Sequence, residues 1–194
     1  MLKGRLGLAT LASVGLAIAI PTTSATAWNR GAVQTFALLP PGAPMVEGLT
    51  VGKDGKVYSP TFDLAGPQNK HSLLFAFDPQ GHLLNHFPVT ITGSSRAMLG
   101  LAFYPGTDAL LVIDFVNAQV LSVHPETGQA SPCITLPPGI SFPQAGLNAL
   151  TFDAAGNIYI SDSFGGIIWR RTVTTGSSFC GQVDNQPWAG PDPL

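Results

Sequence analysis

Two polar residues, Glu47 and Asn148, occupy the same position in two similar stretches of the chain. Residues 47–51 align with residues 148–152 at an offset of 101, and each stretch continues as an apolar segment that predicts a β-strand. A carboxylate oxygen and an amide oxygen are ligands that a hard cation such as Ca²⁺ prefers. Such an ion can polarise a carbonyl group and activate a bound water. If the fold brings both residues to one place, they predict a divalent metal site.

Simpler interpretations of both residues remain open. A glutamate before a strand is commonly a solvated loop residue, and an asparagine there is commonly a turn former. Other chemistry is harder to find. His82 and His86 have the spacing of a helical metal site, but they fall in a predicted hairpin, where residues four apart do not meet. No Gly-x-Ser-x-Gly nucleophile motif is present.

The elements that would position these residues come from an internal repeat. Three copies begin near residues 47, 99 and 148, and in each copy a short apolar segment, a turn and a second apolar segment follow one another. Asp114 and Asp162 align with each other at the ends of second strands, where we expect them to cap turns. A period of about 50 residues with four short antiparallel strands is the size of one β-propeller blade. The predicted blades cover about 45–92, 97–137 and 146–183.

Composition favours an all-β chain. The 194 residues include 22 glycines and 17 prolines, but only 10% are charged. This excess of turn formers suits many short strands, and no stretch after Trp28 keeps a helical apolar period for three turns. A β-sandwich is the alternative. The formal net charge of −2 and the lack of a Lys/Arg cluster exclude nucleic acid and an anionic membrane surface as partners.

Residues 1–27 predict a signal peptide with a signal helix. Lys3 and Arg5 precede an apolar run over 6–20, and Ala25 and Ala27 frame a small-x-small cleavage motif. The run is shorter than the roughly 20 residues of a membrane span. We therefore expect cleavage after Ala27 and a soluble periplasmic or extracellular protein over 28–194, with no membrane association after cleavage. An uncleaved anchor is the alternative.

The sequence does not decide whether the two cysteines form a disulfide. An oxidising compartment permits a bond between Cys133 and Cys180. The 47 residues between them place both at equivalent outer positions of neighbouring blades. Because propeller blades splay apart toward the rim, this argument disfavours the bond.

The repeat motifs resemble the first three blades of the senescence marker protein and gluconolactonase family, also called regucalcin-like. The resemblance runs from about Val33 to the end and rests on four motifs: Glu47-Gly48-Leu49, Leu99-Gly100-Leu101-Ala102-Phe103, Gly146-Leu147-Asn148, and Asp153 with Gly156-Asn157-Ile158-Tyr159. It implies part of a six-bladed propeller that holds a divalent metal, often calcium, at the channel mouth and hydrolyses sugar lactones or related esters. NHL-repeat, strictosidine-synthase-like and paraoxonase-like propellers share the same spacing of strands and turns in each blade.

The resemblance also implies residue roles. The family residue that matches Glu47 is a metal ligand, and the one that matches Asn148 lies in the substrate and metal pocket. Two of the three expected metal ligands, which lie in later blades of the family, have no counterpart here. We therefore expect a truncated lactonase with weak or absent calcium binding. A non-catalytic fragment is the alternative, either an NHL-like binding module or the product of an interrupted gene.

Half a ring should also leave an apolar blade face bare at each end. Two copies could pair through such faces into a homodimer.

Overall fold

The computed structural model describes residues 33–67, 69–92 and 96–184, so the predicted signal peptide and its helix lie outside the described residues. Within these ranges the chain forms β-strands joined by turns and loops, without a helix, which confirms the all-β prediction. No described helix could therefore cross a membrane.

The strands form three sheets that follow one another along the chain. The first blade has the order β1-β2-β3-β4, with β1 at Thr50–Val51, β2 at Val57–Pro60, β3 at Leu73–Phe77 and β4 at Leu83–Pro88. The second blade contains β5 at Met98–Phe103, β6 at Leu110–Asp114, β7 at Gln119–Val123 and β8 at Ala130–Thr135. The third contains β9 at Leu147–Phe152, β10 at Ile158–Asp162 and β11 at Ile167–Arg171.

The turn between the first two strands of a blade follows from its glycine. Gly55 between β1 and β2 has a φ of 81°, and Gly156 between β9 and β10 has a φ of 83°. L-residues with a side chain rarely adopt this left-handed region, whereas glycine enters it at no steric cost. The glycines that the repeat aligned therefore make the same turn in the first and third blades.

The second blade is packed on both faces. Its strand β6 is buried over its whole length. Because successive side chains on a strand point to opposite faces, Leu110 and Val112 join a core shared with the first blade. Leu111 and Ile113 join a core shared with the third blade. Sheets that pack in series, with their inner strands side by side, form a partial β-propeller rather than a two-sheet sandwich.

The first blade does not leave its outer face bare, so that expectation was wrong. Phe75 is 1% exposed and Phe77 is 4% exposed. The preceding segment covers this face, since the rings of Phe36 and Phe77 meet edge to face with centroids 6.4 Å apart. Pro40 and Pro44 border the same surface.

The outer face of the third blade is mostly polar, so the expectation of a bare apolar face was wrong here as well. Arg170 on this face donates from Nε to Asp184 Oδ2 at 2.9 Å. The Tyr159 hydroxyl donates to Asp153 Oδ2 at 3.0 Å. Ile168 is its exposed large apolar side chain. Polar side chains with their own partners need no covering sheet.

A last short strand, β12 at Gly181–Gln182, leaves the third blade and pairs in parallel with β8 of the second. Cys133 of β8 and Cys180 are joined by a disulfide, with their Cα atoms 4.4 Å apart. The argument from splayed blades was therefore wrong. It assumed that Cys180 stays on the rim of its own blade, whereas the chain around it crosses to the neighbouring blade.

Candidate functional site

Asn148 lies at a β-bulge in the inner strand of the third blade. Leu147 pairs with Asp162 and Leu150 pairs with Ile160, so three steps along β9 face two steps along β10. A bulge interrupts the alternation of side chains and re-aims the extra residue, and such features are common beside functional sites. Asn148 is thus part of the strand rather than the residue before it.

Glu47 occupies the matching bulge of the first blade. Val46 bridges Thr61, and the ladder of β1 and β2 resumes at Thr50 and Tyr58, so four steps face three. The Glu47 backbone amide donates to the carbonyl oxygen of Pro60 at 3.1 Å. The second blade has the same irregularity between Met98 and Leu101.

Close backbone contacts place the three bulges side by side. A Cβ atom added to Gly48 would lie 3.0 Å from the carbonyl oxygen of Leu99. A Cβ atom added to Gly100 would lie 2.6 Å from the carbonyl oxygen of Asn148, a distance that real Cβ contacts do not reach. Glu47 precedes Gly48 in the chain. The first and third bulges therefore flank the second at the same end of the blade stack, which we call the bulge end.

The side chains of Glu47 and Asn148 are exposed, and neither has a hydrogen bond or ion pair with another described residue. Leu99, at the same position of the second blade, is packed in the core instead. One carboxylate and one amide fit a hard cation in their chemistry, although Ca²⁺ takes about six to eight oxygen ligands. Within the described ranges no group of three or more His, Cys, Asp and Glu residues is placed to hold a metal ion.

Asp162 holds the third blade's part of the bulge end in place. Its Oδ1 accepts the backbone amides of Gly146 at 2.9 Å, Phe164 at 3.1 Å and Gly165 at 3.0 Å. Its Oδ2 accepts Nε1 of Trp169 at 3.1 Å. Burial alone would raise the pKa of Asp162, but these four donors outweigh it and hold the pKa below the ordinary value. The turn-capping role predicted for Asp162 is confirmed, and it extends to the start of β9.

The sequence reasoning missed an aromatic cluster at this end. Phe115, Phe142 and Phe164 come from three separate loops and contact one another, with ring centroids 5.3 to 6.3 Å apart. Phe142 is 38% exposed and Phe164 is 56% exposed. The signal that could have revealed it was a large aromatic residue, Phe164, in a turn where small and polar residues are usual.

A groove of about 980 Å³ lies at the opposite end, between the first and second blades. Its acidic side chains already have cationic partners. Lys53 Nζ lies 2.6 Å from Asp108 Oδ1, and Lys56 Nζ lies 3.0 Å from Asp54 Oδ2. The hydrogen bond with Lys56 is the main cause that lowers the pKa of Asp54. We place the candidate site at the bulge end because the Glu47 carboxylate forms no ion pair with any residue in the part of the chain that the structure describes.

His82 and His86, which have the spacing of a helical metal site, contact different residues in the structure. His82 Nδ1 lies 2.8 Å from Asp78 Oδ2 within one turn. The ring of His86 rests instead against Phe75, with centroids 5.5 Å apart. His82 and His86 therefore have separate local partners.

Comparison with known proteins shows a similar fold in solved structures but assigns the chain to no family. No family model and no curated protein matches the chain. Among solved structures, a protein of unknown function from Bacteroides caccae is similar at a TM-score of 0.50 and 10% identity, over 73% of this chain and 47% of that one.

Two further structures have lower TM-scores. A protein assigned as a 6-phosphogluconolactonase from Bacteroides uniformis has a TM-score of 0.47 and 17% identity, over 72% of this chain and 42% of that one. A streptogramin B lyase has a TM-score of 0.41 and 16% identity, over 69% and 53%. This chain thus spans about half the length of these structures. At such identities the likeness concerns the fold alone, and the regucalcin-like resemblance stays a prediction.

Proposed function

We propose that the bulge end is the ligand face of a propeller hydrolase that acts on a lactone or ester with the help of a divalent cation, most simply Ca²⁺. One observation carries the proposal. Glu47 and Asn148 are equivalent residues of two blades, they lie at the same end of the stack, and both side chains are exposed without a hydrogen bond or ion pair to another described residue. The resemblance of the repeat motifs to regucalcin-like lactonases supports the same assignment.

In this proposal Glu47 and Asn148 hold the cation. When bound, such an ion polarises a carbonyl and lowers the pKa of a bound water. The carboxylate of Glu47 supplies the negative charge that attracts the ion, and the amide oxygen of Asn148 supplies a neutral ligand that also lies within reach of substrate. Asp162 acts as a positioning residue, because it accepts the Gly146 amide two residues before Asn148.

We also propose that the protein works outside the cytoplasm, after cleavage following Ala27. The Cys133–Cys180 disulfide supports this location, since such bonds persist in oxidising compartments.

Calcium titration by calorimetry tests the metal site. We expect the wild-type protein to bind one Ca²⁺ weakly and Glu47→Gln to bind it more weakly still, because the variant removes the carboxylate charge. Glu126→Gln is the matched control, since Glu126 lies in the β7–β8 turn at the opposite end. Equal affinities for the wild-type protein and Glu47→Gln would refute the metal site.

A non-catalytic binding module is the second candidate. The observation that favours it is that the described residues contain no group of three or more acidic, histidine or cysteine side chains placed to hold a metal ion. A lactone hydrolysis assay with added Ca²⁺ separates the two functions. Turnover that Glu47→Gln removes supports the hydrolase, and ligand binding without turnover supports the binding module.

A further inference from the structure

The aromatic cluster at the bulge end is built to keep a phenyl ring exposed. Phe164 is 56% exposed, yet its backbone amide is fixed by Asp162, which is itself 4% exposed. Its ring lies over Gly146, where an added Cβ atom would be 2.7 Å from the ring. The buried carboxylate of Asp162 therefore fixes the turn, and the ring of Phe164 stays exposed over Gly146 although burial of an apolar ring is favourable.

The cluster lies next to one of the two proposed cation ligands, Asn148. Gly146 lies under Phe164 and is two residues before Asn148. Phe142 meets Phe164 with centroids 6.3 Å apart, and Phe115 closes the group from the second blade. The three phenyl rings thus form an apolar platform beside Asn148 at the bulge end.

Resting on the proposed function, we propose that this platform receives the apolar part of the ligand, so that the substrate is an alkyl- or aryl-substituted lactone or ester rather than a sugar lactone. Phenyl rings offer no hydrogen-bond donor or acceptor to replace the water around several hydroxyl groups, and polar groups that lose water without new partners weaken binding. An alkyl or aryl substituent, in contrast, binds more favourably when it moves from water onto an apolar surface. The carbonyl of such a ligand would face Glu47 and Asn148.

A matched pair of ligands tests this assignment. δ-Nonalactone and glucono-δ-lactone share the six-membered lactone ring, and they differ in carrying an alkyl chain or hydroxyl groups. Binding is measured by saturation-transfer NMR titration and hydrolysis by a pH indicator, both with Ca²⁺ present. We expect δ-nonalactone to bind more tightly, and Phe164→Ala to weaken that binding about five- to tenfold through loss of one ring contact.

Two further variants keep the test interpretable. Ile168→Ala is the control, because Ile168 is similarly exposed but lies on the outer face of the third blade. If Phe164→Ala unfolds, Phe142→Ala removes a second ring from the same platform and should weaken binding of the same ligand. Equal sensitivity to Ile168→Ala and to the phenylalanine variants would overturn the platform assignment.

The remaining outcomes separate this inference from the proposed function. Preference for glucono-δ-lactone, with turnover, would overturn the apolar ligand and leave the lactonase standing. Binding of δ-nonalactone that depends on Phe164, without turnover of either lactone, would support the platform and reject the lactonase. No binding of either lactone would reject the platform.

Discussion

Asp114 and Asp162 end equivalent strands in neighbouring blades, yet their surroundings act on them in opposite directions. Both are buried, at 0% and 4% exposure. Burial raises the pKa of Asp114, because hydrogen bonds from Asn117 and Gln119 offset it only in part. The pKa of Asp162 is lowered, because three backbone amides and the Trp169 indole outweigh its burial. The pKa of each buried aspartate therefore depends on how far the donors around its carboxylate offset the effect of burial.

The difference teaches where the fold is rigid. The backbone amides around Asp162 are fixed by the chain, so removing the Asp162 carboxylate leaves them without a hydrogen-bond acceptor. Asp114 accepts only one backbone amide, that of Asn117 at 3.3 Å, and its other two donors are the side-chain amides of Asn117 and Gln119, which are not buried. We expect the third blade's turn to depend on its carboxylate far more than the second blade's turn does.

Asp162→Ala should give the largest effect. It leaves four donors without an acceptor, and each buried donor without a partner costs about 1–3 kcal/mol. We expect the free energy of unfolding, measured by urea denaturation, to fall by at least about 3 kcal/mol, against about 1 kcal/mol for Asp114→Ala. An equal decrease in the free energy of unfolding for Asp162→Ala and Asp114→Ala would contradict the proposed difference between the two turns.

Gly146→Ala should give an intermediate effect. Gly146 and Ala97 are equivalent, because their carbonyls accept the amides of Ser163 and Phe115 in the two blades. The new methyl group at residue 146 would collide with the ring of Phe164. We expect a loss of about 1–2 kcal/mol from overpacking, measured as a lower thermal midpoint.

The reverse exchange, Ala97→Gly, is the control for Gly146→Ala and should cost about 0.5–1 kcal/mol through chain entropy. An unchanged midpoint for Gly146→Ala would show that the ring of Phe164 is not held where the structure places it.

The pH dependence of stability should give the smallest effect, with opposite signs for the two residues. The raised pKa of Asp114 means that its stabilising contribution is present below the ordinary value of 3.8 and is lost as the pH rises through the folded-state pKa. Asp114→Asn should therefore gain stability relative to the wild-type protein as the pH rises from 3.8 toward neutrality.

The lowered pKa of Asp162 has the reverse consequence. Its contribution is present above 3.8 and is lost as the pH falls through the folded-state pKa. The advantage of the wild-type protein over Asp162→Asn should therefore shrink below pH 3.8. Urea denaturation across this range checks both signs, and parallel curves for the two variants would contradict the assignment.

Much of the blade plan could be predicted from the sequence, because its signals are short-range. The glycine turns at Gly55 and Gly156 and the apolar strands between them depend on residues within a few positions. The equivalence of Glu47 and Asn148 followed from the same repeat. The bulges were not predictable. A bulge is a mismatch in the pairing of two strands, and the sequence of either strand alone does not show it.

The sequence by itself determined an all-β chain of repeated blades, with a carboxylate and an amide at one repeat position. Tertiary structure decided the rest. It covered the first blade with the segment around Phe36 and carried Cys180 across to Cys133. It also assembled three phenyl rings from distant loops beside Asn148. The physical reason is that turn and strand preferences act over a few residues, whereas these tertiary contacts join residues tens of positions apart.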